Sequence, residues 1–92
     1  LRTIHKKPLT RLGDTVLQLP SGAFITRVDL QDGRPHAWVA TDDAAPIAQH
    51  AVVRIIGTGV EIPDGYWPVG TFLEEGGALV WHAVVKWETL NV

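Results

Sequence analysis

Few side chains in this 92-residue sequence are of the kind that make or break covalent bonds. Cysteine is absent, and the one serine, Ser21, lies in Pro20-Ser21-Gly22, a turn composition without the Gly-x-Ser-x-Gly setting that presents a nucleophile. Four histidines (His5, His36, His50, His82) and the pair Asp42-Asp43 are metal-ligand types. No two of those histidines stand at the i, i+2 or i, i+4 spacing that brings both to one face of a strand or helix, so a metal site is not expected. Glu74 and Glu75 are adjacent acids, but they fall at an expected hairpin tip, which points them at water rather than into a cleft where one would act as an acid and the other as a base. Gly57-Thr58-Gly59 is too short to cradle a phosphate, lacks the Gly-Lys-Ser/Thr that follows in such loops, and ends a strand without opening a helix. His82, between Val80 and Val84, reads as a satisfied or solvated histidine. The expectation is a chain with no catalytic, cofactor-binding or metal-binding residue, no cofactor and no enzymatic activity.

What remains is the chemistry of contact. The chain carries 4 Trp and 1 Tyr. Trp81 fits a core. Trp67 follows the turn Pro63-Asp64-Gly65 and is flanked by Tyr66 and Pro68, a group hard to bury together, which makes it a candidate anchor on a partner protein. Trp87, near the end, is a second candidate. Charge is divided unevenly: residues 1–12 hold Arg2, Lys6, Lys7 and Arg11 and no acid, for +4, and the other 80 residues sum to −6. The partner-binding candidates are therefore Arg2, Lys6, Lys7, Arg11, Trp67 and Trp87. A nucleic-acid partner is disfavoured, because a net charge of −2 repels a phosphate backbone that only four arm cations would oppose.

The elements that must position these residues read as strands. At this length the chain is one domain able to bury roughly 60–65% of its unfolded surface. No apolar run approaches the roughly 18 residues of a membrane span, and no charged-then-apolar leader opens the chain, so a soluble domain with no membrane contact is expected. Leu1 to Lys6 alternates weakly as an edge strand or arm ended by Pro8, and Thr15 to Leu19 is a short strand between turn residues. Phe24–Leu30 and Pro35–Thr41 flank Asp32-Gly33, a type I′ hairpin signal that pairs Val28 with Ala37, Thr26 with Val39, Phe24 with Thr41, Asp29 with His36 and Arg27 with Trp38. Residues 41–50 read as a loop with one helical turn after Pro46. Ala51 to Ile56 is apolar enough for burial on both faces.

Val69 to Leu73 and Ala78 to Trp87 flank Glu74-Glu75-Gly76-Gly77 as a second hairpin. Its odd positions, Leu79, Trp81, Ala83, Val85 and Trp87, form the core face. A turn at Glu75-Gly76 sets Phe72 against Leu79 and Gly70 against Trp81; a turn at Gly76-Gly77 sets Phe72 against Trp81. The sum is an all-β fold: a small antiparallel β-sandwich or barrel of six to seven short strands built from hairpins. Its divisions are a basic N-terminal arm or edge strand at 1–12, a β domain at 13–87 and a C-terminal tail at 88–92.

The segments Leu19-Pro20-Ser21-Gly22-Ala23, Asp32-Gly33, Trp38, Arg54-Ile55-Ile56-Gly57-Thr58-Gly59, Val69-Gly70-Thr71-Phe72 and Gly76-Gly77-Ala78-Leu79-Val80-Trp81-His82 resemble a small domain of unknown function found in open reading frames of tailed bacteriophages and prophages. The resemblance spans about residues 4 to 84 and rests on turns and core strands; it brings no catalytic residues. It implies a viral protein, most simply a minor virion component such as a capsid decoration (cement) protein that binds phage capsid subunits or itself. The alternative it leaves open is a host-takeover factor in the host cytoplasm that binds a bacterial protein.

Overall fold

Asp32 and Gly33 both take positive φ, 53° and 74°, the pair of left-handed conformations that a two-residue turn needs to match the twist of its strands. In the computed structural model, which describes residues 1–90, that turn joins strands β3 (Phe24–Gln31) and β4 (Arg34–Asp42). Val28 lies opposite Ala37, Arg27 opposite Trp38 and Asp29 opposite His36, as the turn predicts. Beyond them the register departs from expectation: Ile25, not Thr26, faces Val39, and Phe24 faces Ala40 rather than Thr41. Thr26 is the extra residue of a bulge, and its hydroxyl donates to the Trp38 carbonyl at 3.1 Å. The bulge sends Ile25 inward and leaves Phe24 half-exposed on the outer face.

Seven strands form two antiparallel sheets. The first has the order β1-β4-β3, with β1 at Arg2–Pro8. The second has the order β2-β5-β7-β6, with β2 at Asp14–Pro20, β5 at Ile47–Gly57, β6 at Trp67–Glu74 and β7 at Leu79–Thr89. The all-β expectation holds, and the arrangement is a two-sheet sandwich. Its one helical feature among the described residues is a 3₁₀ turn at Glu75–Gly77. The 41–50 loop is shorter than expected, because β4 runs to Asp42 and β5 begins at Ile47, with no helical turn after Pro46. β7 likewise continues through Glu88 and Thr89, paired with His50 and Gln49, and Leu90 donates to the Ala48 carbonyl at 3.0 Å. Of the anticipated tail, residues 91–92 lie outside the described residues.

The second hairpin adopts the register in which Phe72 opposes Trp81. Val69 is a bulge, so Gly70 opposes Ala83 and not Trp81. The role of Gly70 therefore changes: a Cβ there would sit 3.5 Å from Cβ of Val28, so its bare backbone lets β6 and β3 come close where the two sheets meet. Between the sheets lie Leu17, Leu19, Val28, Ala37, Val39, Ala51, Val53, Phe72, Ala83 and Val85, all buried. β5 is buried on both faces, as its unbroken apolarity implies. On the outer side, Val52, Val84 and Ile56 are covered by the segment after β5, which folds Tyr66 down onto them.

Candidate binding surfaces

The two long sides of the sandwich differ. On one, β3 and β6 are drawn together at Val28 and Gly70. On the other stand β1 and β2, each with one strand neighbour, β4 and β5 respectively, and unpaired with each other. The reason is visible in β1. Ile4 and Lys6 oppose Ala40 and Trp38 and face out, so His5 and Lys7, opposite the fully buried Val39 and Ala37, face in. Polar side chains at inward positions of an edge strand do not seal against a core.

The result is a cleft of about 240 Å³ along this open side, lined by His5, Lys7 and Thr41 from the first sheet, by Gln18, Leu19 and Pro20 from β2, and by Asp43, Ala45 and Ile47. His5 Nε2 donates to the Asp43 carboxylate, at 2.8 and 3.0 Å from its two oxygens. Lys7 has no hydrogen-bond or ion-pair partner among the described residues. Thr41 is 5% exposed, and its hydroxyl oxygen has no partner among the described residues.

The six predicted contact residues do not form one surface. Arg2 and Lys6 stand on the outer face of the first sheet, where Lys6 donates to Gln31 Oε1. Lys7 points into the cleft. Arg11, in the loop between β1 and β2, is occupied: it donates to Glu74 Oε1 at 3.0 Å, to Glu74 Oε2 at 2.5 Å and to the Gly33 carbonyl at 3.0 Å. Trp67 is 73% exposed and Trp87 38%. Trp67 opposes Val85, so Trp87, two residues further along β7, is its diagonal neighbour, about 7–8 Å away by strand geometry. The Trp pair is gathered; the basic residues are dispersed.

Two polar clusters escaped the sequence reading. Glu74, expected to point at water, is held by Arg11 and accepts from Trp81 Nε1 at 3.0 Å. The Arg11 guanidinium first, and the indole second, hold its carboxyl below the ordinary value. On the outer face of the second sheet, Arg54 makes a two-pronged contact with Asp14 at 2.8 and 3.0 Å, and the Tyr66 hydroxyl donates to the same carboxylate at 3.1 Å. Asp14 is thereby pushed down, chiefly by Arg54 and with help from Tyr66, against the opposing effect of burial. Arg54 and Lys86 both lie over the Tyr66 ring, 5.2 and 5.3 Å from its centre. Tyr66 is thus a buried strut between loop and sheet, separating it from the exposed Trp67. No periodicity announces this, because its partners belong to three different strands.

His82 is satisfied on both ring nitrogens, by Thr58 Oγ1 at 2.8 Å and Thr71 Oγ1 at 2.9 Å. Arg27 pairs with Asp29, 2.6 Å at the closest approach, beside Trp38. Among the described residues no three His, Asp or Glu side chains converge in a way that would hold a metal ion. A family model, Domain of unknown function (DUF7352), matches residues 1–91. No curated protein and no solved structure matches the chain.

Proposed function

The chain belongs to the family described as Domain of unknown function (DUF7352), and from that premise we propose that it is a non-enzymatic protein-binding module. The observation that carries the reading is the exposed Trp67 beside the half-exposed Trp87 on a small, single-core body. Large aromatic rings left in water are costly to a chain that has a core to put them in, and Trp is the side chain most often found at the energetic centre of protein interfaces. The similarity of the turn and core-strand segments to phage and prophage reading frames extends the proposal to a place: a minor virion component, such as a capsid decoration protein, that contacts capsid subunits or copies of itself.

The test has two parts. Mass spectrometry of purified virions should find the protein at tens of copies or more, as expected for a component that binds repeated subunits; its absence would leave the host-takeover reading, in which the same surfaces grip a bacterial protein in the cytoplasm. Trp67→Ala combined with Trp87→Ala should abolish co-purification of the partner while leaving the thermal midpoint close to that of the unaltered chain. Retention of the partner by the double variant would refute the role given to the pair. The weak nucleic-acid alternative through Arg2, Lys6, Lys7 and Arg11 is checked by salt-dependent gel shifts with residues 1–12 present or removed.

A further inference from the structure

Resting on the protein-binding reading above, we infer that the open side between β1 and β2 receives an extended, acidic segment of the partner, laid as an added strand along the edge of β2. Four observations converge. The cleft between the two strands takes its lining from Gln18, Leu19 and Pro20, and a second hollow of about 400 Å³, sharing Lys7 and Gln18 with the first, is lined also by Val16 and Leu17. Val16 to Pro20 are consecutive. Because side chains alternate between faces of a sheet, two adjoining hollows that are each bounded by three successive residues, and together by five, must follow the strand's edge, where backbone N–H and C=O groups have no neighbour in the sheet. The matching occupant is itself extended and about five residues long.

Charge selects among extended segments. The carboxylate in the cleft, Asp43, is engaged by His5, which leaves the Lys7 ammonium at the mouth without a counter-ion among the described residues. An inward lysine on an edge strand ordinarily discourages pairing with passing strands. A guest that brings Asp or Glu to Lys7 turns the same obstacle into a key. Thr41 supplies the remaining signal: it lines the cleft, its hydroxyl oxygen is buried with no partner among the described residues, and a rotation of the side chain toward the cleft would let that hydroxyl bond a polar group of the occupant. Leu19, Pro20, Ala45 and Ile47 offer apolar contact to the guest's alternate side chains.

A display library of random heptapeptides selected against the immobilised full chain tests this, with K7E and T41V as parallel baits. The unaltered chain should enrich peptides with Asp or Glu amid β-branched residues. A synthetic peptide of the enriched consensus should bind at least about tenfold more weakly to K7E and about three- to tenfold more weakly to T41V, which keeps the shape of the side chain and loses the hydroxyl. Its amide shift changes in nitrogen-15 NMR should fall on residues 3–7 and 16–20. No enrichment over bare support, equal affinity for K7E, or shifts centred on Trp67 and Trp87 would overturn the inference. The two readings fail separately: a partner kept by K7E and lost on the paired Trp substitutions refutes the cleft alone, whereas consensus-peptide binding without any co-purifying partner supports the cleft and leaves the cellular role refuted.

Discussion

The side of the sandwich closed by β3 and β6 and the side left open by β1 and β2 are made from strands of similar length, yet one is sealed and the other is not. The difference lies in what each strand turns inward. β3 and β6 present Val28, Phe72 and a bare Gly70, so apolar surface meets apolar surface at close range. β1 turns His5 and Lys7 inward and spends Ile4 on the outer face, where it is 58% exposed. A sandwich of seven short strands thus has one side committed to stability and one side that stability does not require.

The largest break in that contrast should come from Phe72→Ala, which empties the closed side and should cost about 3–5 kcal/mol by chemical denaturation. Gly70→Val comes next. Its Cβ fits at ordinary contact distance from Val28, but the added methyl groups do not, and overpacking of this kind costs about 1–3 kcal/mol. The comparison would fail if these two variants were no less stable than the unaltered chain.

Acid should loosen the link between the two sides. Arg11, in the loop joining β1 and β2, is tied to Glu74 at the end of β6 and to Gly33 in the β3–β4 turn. Glu74, Asp14 and Asp29 all have carboxyls held below their ordinary values, Glu74 by Arg11, Asp14 by Arg54 and Asp29 by Arg27. On acidification the unfolded chain therefore takes up protons first. The stability from these contacts is complete above the ordinary carboxylate range of about 3.9–4.3 and is lost as pH falls through and below it. Thermal midpoints should be flat near neutrality and decline below about pH 4, and Glu74→Gln should remove part of that decline. The effect is modest, since Arg11 and Arg54 remain partly in water.

The smallest effect sharpens the comparison most. Lys7→Ala, on the open side, should change stability by no more than about 0.5 kcal/mol, because no contact in the fold depends on the ammonium. A loss approaching that of Gly70→Val would mean that the open side is structural after all.

Much of the sheet was legible because its turns carry their own chemistry. Asp32-Gly33 set the register of β3 and β4 through Arg27 and Trp38, and alternation along β7 picked out Ala83 and Val85 as core, whereas Leu79 and Trp87, at the two ends of the same expected core face, are exposed. Bulges were not legible. Neither Thr26 nor Val69 differs in type from a regular strand residue, and each shifted the pairs beyond it, turning Phe24 outward and moving Gly70 from Trp81 to Val28. The burial of Tyr66 was missed for another reason: a loop that crosses the outer face of a sheet satisfies one residue with Val52, Val84, Asp14 and Arg54, which are scattered through the chain. As for the candidate surfaces, Trp67 was found from composition and turn context alone. The cleft was not, since the inward lysine of β1 looks in sequence like one more charge of a basic arm, and Thr41 like one more polar residue at a strand end.

Solvent exposure read atom by atom tests the contrast most directly. With a neutral soluble nitroxide added to the isolated chain, the Ile47 methyl groups and the Lys7 side chain should relax rapidly, and the Val28 methyl groups and the Phe72 ring should remain close to their undisturbed rates. Equal shielding at Lys7, Ile47 and Val28 would mean that β1 and β2 close on each other, or on a second copy, and would contradict an open side.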